Sequence, residues 1–236
     1  MTACEALIRW NHPQLGFVSP AVFVPLAEEM GIVGDMTIFV LRQACRACAR
    51  WPEEMSVSVN LSAIDFDRST LAAEVLSALA ESGLSPHRLE VEITETAAIK
   101  GKERVRDVLT VLRAHGVRVA LDDFGVGYSG LSHLHNLPLD RVKIDRSFIL
   151  AINDDTRSMK LLASIISMAR ALDLAVTVEG VEDLDTLDRV MSAGRVEKVQ
   201  GFVFGRHLTA EQIGELALYA SPAQTFPRAG KVAVSA

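Results

Sequence analysis

Val57 and Val59 alternate with Ser56, Ser58 and Asn60. Leu89, Val91 and Ile93 alternate with Glu90 and Glu92, and Val142 and Ile144 with Arg141, Lys143 and Asp145. A period of two marks strands with one apolar and one polar face. A doubly wound parallel sheet buries both faces and reads as near-continuous apolar runs, so these strands point instead to a barrel with a polar interior mouth. The runs begin near Glu5, Ser56, Arg88, Val117, Arg141, Leu174 and Lys198. Stretches of helical period lie near 20–31, 34–50, 66–82, 102–115, 155–172, 183–193 and 209–219. This alternation predicts about seven parallel strands joined by crossover helices, an α/β chain built as an incomplete TIM (β/α)8-like barrel.

Ser19 before Pro20 and Thr209 before Ala210 predict two of the helix starts. Nothing resembling a linker interrupts the chain before about residue 220, so residues 1–219 are expected as one domain. Ala220 to Ala236 contain two prolines, a glycine and small polar residues without helical period, and are expected as a flexible tail.

The 236 residues are 49% hydrophobic, ample for a sizeable core. A formal charge of -6 argues against general attraction to a nucleic-acid polymer, so a phosphate-bearing ligand would need metals or focused arginines. Cys4, Cys45 and Cys48 form no even disulfide framework and read as reduced thiols, which implies a cytoplasmic setting. The most apolar stretch, Leu161 to Val178, contains Arg170 and Asp173 and changes period midway, so no membrane association is expected. No signal peptide is evident.

A functional polar residue stands at or near one strand end after another: Asn60, Glu92, Asp122 with Asp123, Lys143, Glu179 and Gln200. Glu5 and Arg9 share a face of the first strand. Any one of these, taken alone, reads best as a solvated loop residue or a helix cap. In a parallel barrel, however, these ends converge on one mouth, where active sites are built. Several carboxylates at one mouth repel one another unless a cation compensates. Oxygen donors without a His or Cys cluster favour Mg²⁺ or Mn²⁺ over Zn²⁺, and paired hard ions imply phosphoryl chemistry.

The segment Gly125-Val126-Gly127-Tyr128-Ser129-Gly130 has the spacing of a dinucleotide-binding turn. Two carboxylates immediately before it would repel a pyrophosphate, so the glycines are read as a tight loop beside metal ligands. His133 and His135 are read as surface or packing residues.

Glu5-Ala6-Leu7-Ile8-Arg9-Trp10, Ser58-Val59-Asn60-Leu61-Ser62, Glu92-Ile93-Thr94-Glu95 and Asp122-Asp123-Phe124-Gly125 occur in that order. Leu137-Pro138-Leu139-Asp140, Lys143-Ile144-Asp145-Arg146-Ser147-Phe148, Glu179-Gly180-Val181-Glu182 and Gln200-Gly201-Phe202 follow. Over residues 5 to about 210 the chain resembles the EAL-domain phosphodiesterases of bacterial cyclic di-GMP signalling. The resemblance implies a modified (β/α)8 barrel that hydrolyses cyclic di-GMP to linear pGpG with two Mg²⁺ or Mn²⁺ ions, Ca²⁺ being inhibitory. It implies metal binding by Glu5, Asn60, Glu92, Asp122, Asp123 and Glu179. Lys143 would hold the attacking water, and Glu179 and Glu182 would belong with it to the catalytic set, Glu182 as a supporting carboxylate. Arg9 would contact substrate phosphate, with Gln200 beside the site. Glu95 would brace the loop from Phe124 to Gly130, which in relatives links metal occupancy to a homodimer contact.

The chain departs from the family pattern in places. Only Met1 to Cys4 precede Glu5, where family members carry a helix and a first strand; a barrel without that strand is expected to expose two edges. Val126 replaces a usual threonine, His207 a frequent proline, and Arg195-Val196-Glu197 inserts one residue ahead of Gln200. The ligand set favours an active phosphodiesterase; the missing strand favours the rival, a catalytically weak module that binds cyclic di-GMP.

Overall fold

The computed structural model describes residues 2–100, 102–125, 137–152, 156–205, 207–219 and 228–235. Strand β1 (Ala3–His12) folds back through an antiparallel hairpin onto β2 (Gly16–Val18), pairing Trp10 with Val18. Helices α1 (Pro20–Glu29) and α2 (Val33–Cys48) lead to β3 (Ser56–Leu61). Then come α3 (Leu71–Ser82), β4 (Leu89–Thr94), α4 (Glu95–Lys100), α5 (Lys102–Ala114) and β5 (Arg118–Phe124). The second half runs β6 (Arg141–Ile144), α6 (Arg146–Ala151), α7 (Thr156–Ala171), β7 (Ala175–Val178), α8 (Leu184–Ala193) and β8 (Lys198–Gln200). It finishes with β9 (Leu208–Thr209), α9 (Ala210–Tyr219) and β10 (Arg228–Ser235).

β1 and β3 to β8 pair successively in parallel, and β10 pairs in parallel with both β8 and β1. The ring is therefore closed, which completes the (β/α)8-like barrel. The alternation read from sequence maps directly onto its walls. Val57, Val59, Val91, Ile93, Val119, Leu121, Val142, Ile144, Val176 and Val178 form the outer face beneath the helices and are buried in the continuous core. The polar partners on the same strands face the barrel interior, where Glu5, Ser58, Glu90, Glu92, Arg141, Lys143, Thr177 and Gln200 are all buried. Each strand thus supplies an apolar seam for helix packing and a polar seam for the site.

The flexible tail read for Ala220 to Ala236 is corrected over Arg228–Ser235, which form β10. The physical reason is a short period-two pattern: β-branched Val232 and Val234 alternate with small residues and suit an extended chain. β10 pairs with β1 from Ala3↔Ala229 to Arg9↔Ser235 and meets β8 at Val199 and Gln200. The two edges expected beside Glu5 are thereby covered. Residues 220–227 lie outside the described residues.

Helix starts follow their capping chemistry. Thr209 and Gln212 cap α9 reciprocally, Gln212 N donating to Thr209 Oγ1 at 3.3 Å and Thr209 N to Gln212 Oε1 at 2.9 Å. Ser19 makes no side-chain cap bond, so Pro20 alone presets the entry to α1. The helix expected over 66–82 is divided into a 3₁₀ turn at Asp65–Asp67 and α3, because buried Asp65 accepts from Ser62 N and Thr37 Oγ1 and turns the chain there. α9 is held to the barrel by fully buried Ile213 and by Trp51 Nε1, which donates to Ala210 O at 3.1 Å. Among the described residues no helix is long and apolar enough to cross a membrane.

Candidate active site

The carboxyl ends of β1 and β3 to β8 place their polar residues around one mouth. At its centre Lys143 Nζ lies 2.5 Å from Glu92 Oε2, 2.8 Å from Glu179 Oε1 and 3.2 Å from Asp122 Oδ2. Glu5 completes the ring and is held from two sides: Asn60 Nδ2 donates to its Oε1 at 2.9 Å, and Gln200 Nε2 to its Oε2 at 2.7 Å. The residue inserted ahead of Gln200 therefore leaves that amide in the ring.

Two neighbouring carboxylates reach this mouth because β5 is irregular. Its register against β6 shifts between Leu121 and Phe124, and Asp123 adopts a left-handed backbone with φ 55°. In a regular strand Asp122 and Asp123 would point to opposite faces. Here both line the same cleft, and Asp123 N donates to Asp122 Oδ1 at 3.0 Å.

The charges do not balance: one ammonium faces the carboxyls of Glu5, Glu92, Asp122 and Glu179. Burial pushes Lys143 toward the neutral form, yet Glu92, Glu5, Glu179 and Asp122 outweigh it and hold the ammonium well above its ordinary pKa. For Glu92, burial raises the carboxyl well above its ordinary value; Lys143 opposes this, while Glu5, Asp122 and Glu179 add to it. Glu179 is raised by burial first, with Asp122 and Glu5 adding and Lys143 opposing. Asp123 is raised by burial and then by Asp122. A ring with this surplus of acid takes up either protons or further cations.

Donor chemistry favours hard cations. The ring is made of carboxylate and amide oxygens with no His or Cys, which suits Mg²⁺ or Mn²⁺. Among the described residues no three His, Cys, Asp or Glu side chains are already gathered as a metal cluster. The acids converge on Lys143 instead.

The mouth opens into a cleft of about 570 Å³ whose lining includes Arg9, Glu28, Asn60, Ser62, Asp122 and Asp123. That volume suits a ligand of nucleotide size. Arg9 stands at its wall, its Nη1 donating to Ile8 O at 3.1 Å.

The other sequence candidates fall less evenly. Glu95 is buried at the start of α4, where its Oε2 accepts from Gly125 N at 3.4 Å. Of the loop read as braced, Phe124 and Gly125 are described, while 126–130, with His133 and His135, lie outside the described residues. Glu182 is not brought to the ring. It is exposed and pairs with Arg146 Nη2 at 2.7 Å, because the chain turns outward at Gly180, φ 74°. Arg146 lies across Gly180, where an added Cβ would come 2.3 Å from its Cγ. The Arg146–Glu182 pair therefore clasps the turn that follows Glu179.

Sequence reasoning missed two features. Ser62 Oγ donates to Glu28 Oε1 at 2.5 Å at the cleft wall; Ser62 stood in a quoted motif, but Glu28 carried no signal. Arg141 pairs with Glu90 at 3.0 Å inside the barrel. The period-two alternation already put both on the interior face, and only their contact was hidden.

Fold and site define a parallel α/β barrel with a lysine-centred acid ring at its mouth. The chain belongs to the EAL domain family, whose profile matches residues 1–207. It is 42% identical over 212 residues to uncharacterized protein y4lL of Sinorhizobium fredii, covering 90% of this chain and 26% of that protein. It is 40% identical over 215 residues to the cyclic di-GMP phosphodiesterase NbdA of Pseudomonas aeruginosa, covering 89% of this chain and 27% of that one. The chain thus spans about a quarter of the length of these relatives. Among solved structures it resembles the Pseudomonas aeruginosa MucR phosphodiesterase in complex with cyclic di-GMP, with TM-score 0.82 and 37% identity over 87% of this chain and 85% of that one.

Proposed function

We propose that the chain is a metal-dependent phosphodiesterase that hydrolyses cyclic di-GMP to linear pGpG in bacterial second-messenger signalling. The observation that carries this reading is the buried Lys143 ammonium surrounded by more carboxylates than it neutralises, one of which, Asp122, also lines a nucleotide-sized cleft with Asn60 and Asp123. Relatives named as cyclic di-GMP phosphodiesterases support it. Glu5, Asn60, Glu92, Asp122, Asp123 and Glu179 would hold two Mg²⁺ or Mn²⁺ ions. Such ions, when bound, lower the pKa of water and offset charge on phosphate oxygens.

The chain's own residues do the rest. Lys143 stays protonated, so it orients the attacking water by donation and screens charge growing on the phosphoryl oxygens. Asn60 and Gln200 fix the Glu5 carboxylate in one orientation, leaving its charge directed to the mouth. Arg9 meets substrate phosphate at the cleft wall. Attack on phosphorus breaks one phosphodiester P–O bond, and the departing 3′ oxygen takes a proton. Glu182 acts through Arg146, steadying the turn after Glu179. The same proposal places the protein in the cytoplasm and, through the loop braced by Glu95, in a homodimer that sedimentation would detect.

The test is incubation of purified protein with cyclic di-GMP and Mg²⁺ or Mn²⁺, followed by detection of pGpG. Product is expected with either ion and not with Ca²⁺. Glu5→Ala and Asp122→Ala should each abolish turnover, and unchanged activity in either refutes the ligand assignment. Binding of cyclic di-GMP without product would identify a non-catalytic binding module instead.

A further inference from the structure

Beneath the acid ring the barrel holds a second polar layer. Glu90, Arg141 and Thr177 are buried there, with Lys198 beside them. Residues two apart on a strand share a face. β4 therefore gives Glu92 to the ring and Glu90 to the layer below, and β6 gives Lys143 and Arg141. Thr177 stands below Glu179 on β7. β4, β6 and β7, which bring Glu92, Lys143 and Glu179 to the ring, each also supply a member of this lower layer.

β4 and β6 do not touch, because β5 runs between them. At that level β5 presents Ala120, which pairs with Glu92 on one side and Arg141 on the other and is completely buried. A methyl group leaves room for a long side chain to pass. Arg141 uses it: its Nε lies 3.0 Å from Glu90 Oε2 on β4, and its Nη1 donates to Thr177 Oγ1 on β7 at 3.2 Å. Burial alone would push the Glu90 carboxyl up, but Arg141, and then Lys198, draw it below its ordinary value. The planar guanidinium makes these two bonds in fixed directions, which a lysine ammonium does not reproduce.

We propose that Arg141 is a positioning residue for hydrolysis, a strap passing over Ala120 that fixes β4, β6 and β7 and so sets the spacing of Glu92, Lys143 and Glu179. Its catalytic consequence rests on the function proposed above. The strap itself does not.

Three variants test it: Arg141→Met cuts the strap, Arg141→Lys keeps only its charge, and Ala120→Leu fills the passage while leaving every charged group in place. All are compared with wild type at a temperature where circular dichroism shows each one folded. Supporting-residue losses of this kind cost about 10–100-fold in metal affinity or activity. We expect Arg141→Met and Ala120→Leu to lose kcat in that range with little change in KM, and to bind Mn²⁺ correspondingly more weakly in an EPR titration without nucleotide. Amide hydrogen exchange at Glu92 and Lys143 in metal-free protein should quicken by at least ~10-fold, since a lost clamp raises local opening. Arg141→Lys should fall between them and wild type. A purely structural role would lower the melting temperature and move none of these readouts. The strap is overturned if folded Arg141→Met and Ala120→Leu keep kcat, Mn²⁺ affinity and exchange at wild-type values. Should wild type neither bind Mn²⁺ nor make pGpG, the proposed function fails, and hydrogen exchange still decides the strap.

Discussion

Gln200 Nε2 donates to Glu5 Oε2 at 2.7 Å across 195 residues of sequence, joining the last wall strand before the C-terminal helix to the first. The bond leaves Glu5 with one orientation and makes β8 answerable for the geometry at β1. Gly201, next in sequence, permits this: an added Cβ there would come 1.9 Å from Val181 O. Gln200→Ala should therefore weaken Mn²⁺ binding and turnover by about 10–100-fold, as removal of supporting hydrogen bonds commonly does. Isothermal titration with Mn²⁺ alongside a pGpG assay checks this, and wild-type values in both would show that Glu5 needs no such restraint.

Lys143 has the opposite kind of role, since it is the counter-charge that lets the acids share one mouth. Lys143→Met should lower kcat by roughly 10²–10³, the usual loss for one preorganised electrostatic donor. It should also destabilise metal-free protein by about 3–5 kcal/mol, because buried carboxylates lose their partner. Mn²⁺ should then raise the melting temperature of the variant more than that of wild type. Differential scanning calorimetry with and without the ion measures both effects.

The raised carboxyls make stability depend on pH. Glu92, Glu179 and Asp123 have folded pKa values above their ordinary ones, so the folded state binds protons more tightly than the unfolded chain. Their contribution is present below the ordinary carboxylate range and is lost as pH rises through the raised folded values. Lys143, raised from an already high value, stays charged throughout this window. Metal-free protein should thus melt progressively lower as pH rises above the ordinary carboxylate range of about pH 4. Mn²⁺ should reverse the loss, with its largest effect at the upper end. A flat or rising metal-free profile would contradict the assigned shifts.

β10 offers a test by truncation. Ending the chain after Tyr219 removes the strand that pairs with β1 from Ala229 to Ser235, and so uncovers the edge beside Glu5. The melting temperature should fall and a β-edge should become available for self-association. Thermal melts and light scattering together report both. Equal stability in the shortened chain would show that the ring holds without its closing strand.

Local features were the legible ones. A period of two along six-residue strands needs no knowledge of the rest of the chain, so the barrel and the strand-end residues Glu92, Asp122, Lys143 and Glu179 could be read directly. The ring followed because parallel strands send their ends to one side. Glu182 lies off the ring because a single positive φ at Gly180 turns it outward to Arg146, and sequence spacing does not report that turn. β10 was hidden for another reason. Its partners lie more than 200 residues away at β1, and the prolines before it resemble those of a tail. Arg141 and Glu90 were visible as interior residues, but their meeting depends on Ala120 leaving space between them.

The left-handed Asp123 has a consequence for how this site can change. Asparagine and aspartate tolerate that conformation, whereas β-branched residues meet real steric opposition there. Asp123→Asn would delete a charge and keep the kink; Asp123→Val would force β5 to straighten and return one of the paired side chains to the helix layer. The two routes to a silent copy therefore leave different traces. One yields a well-formed pocket with a weakened cation site, and the other dismantles the pocket from its backbone outward.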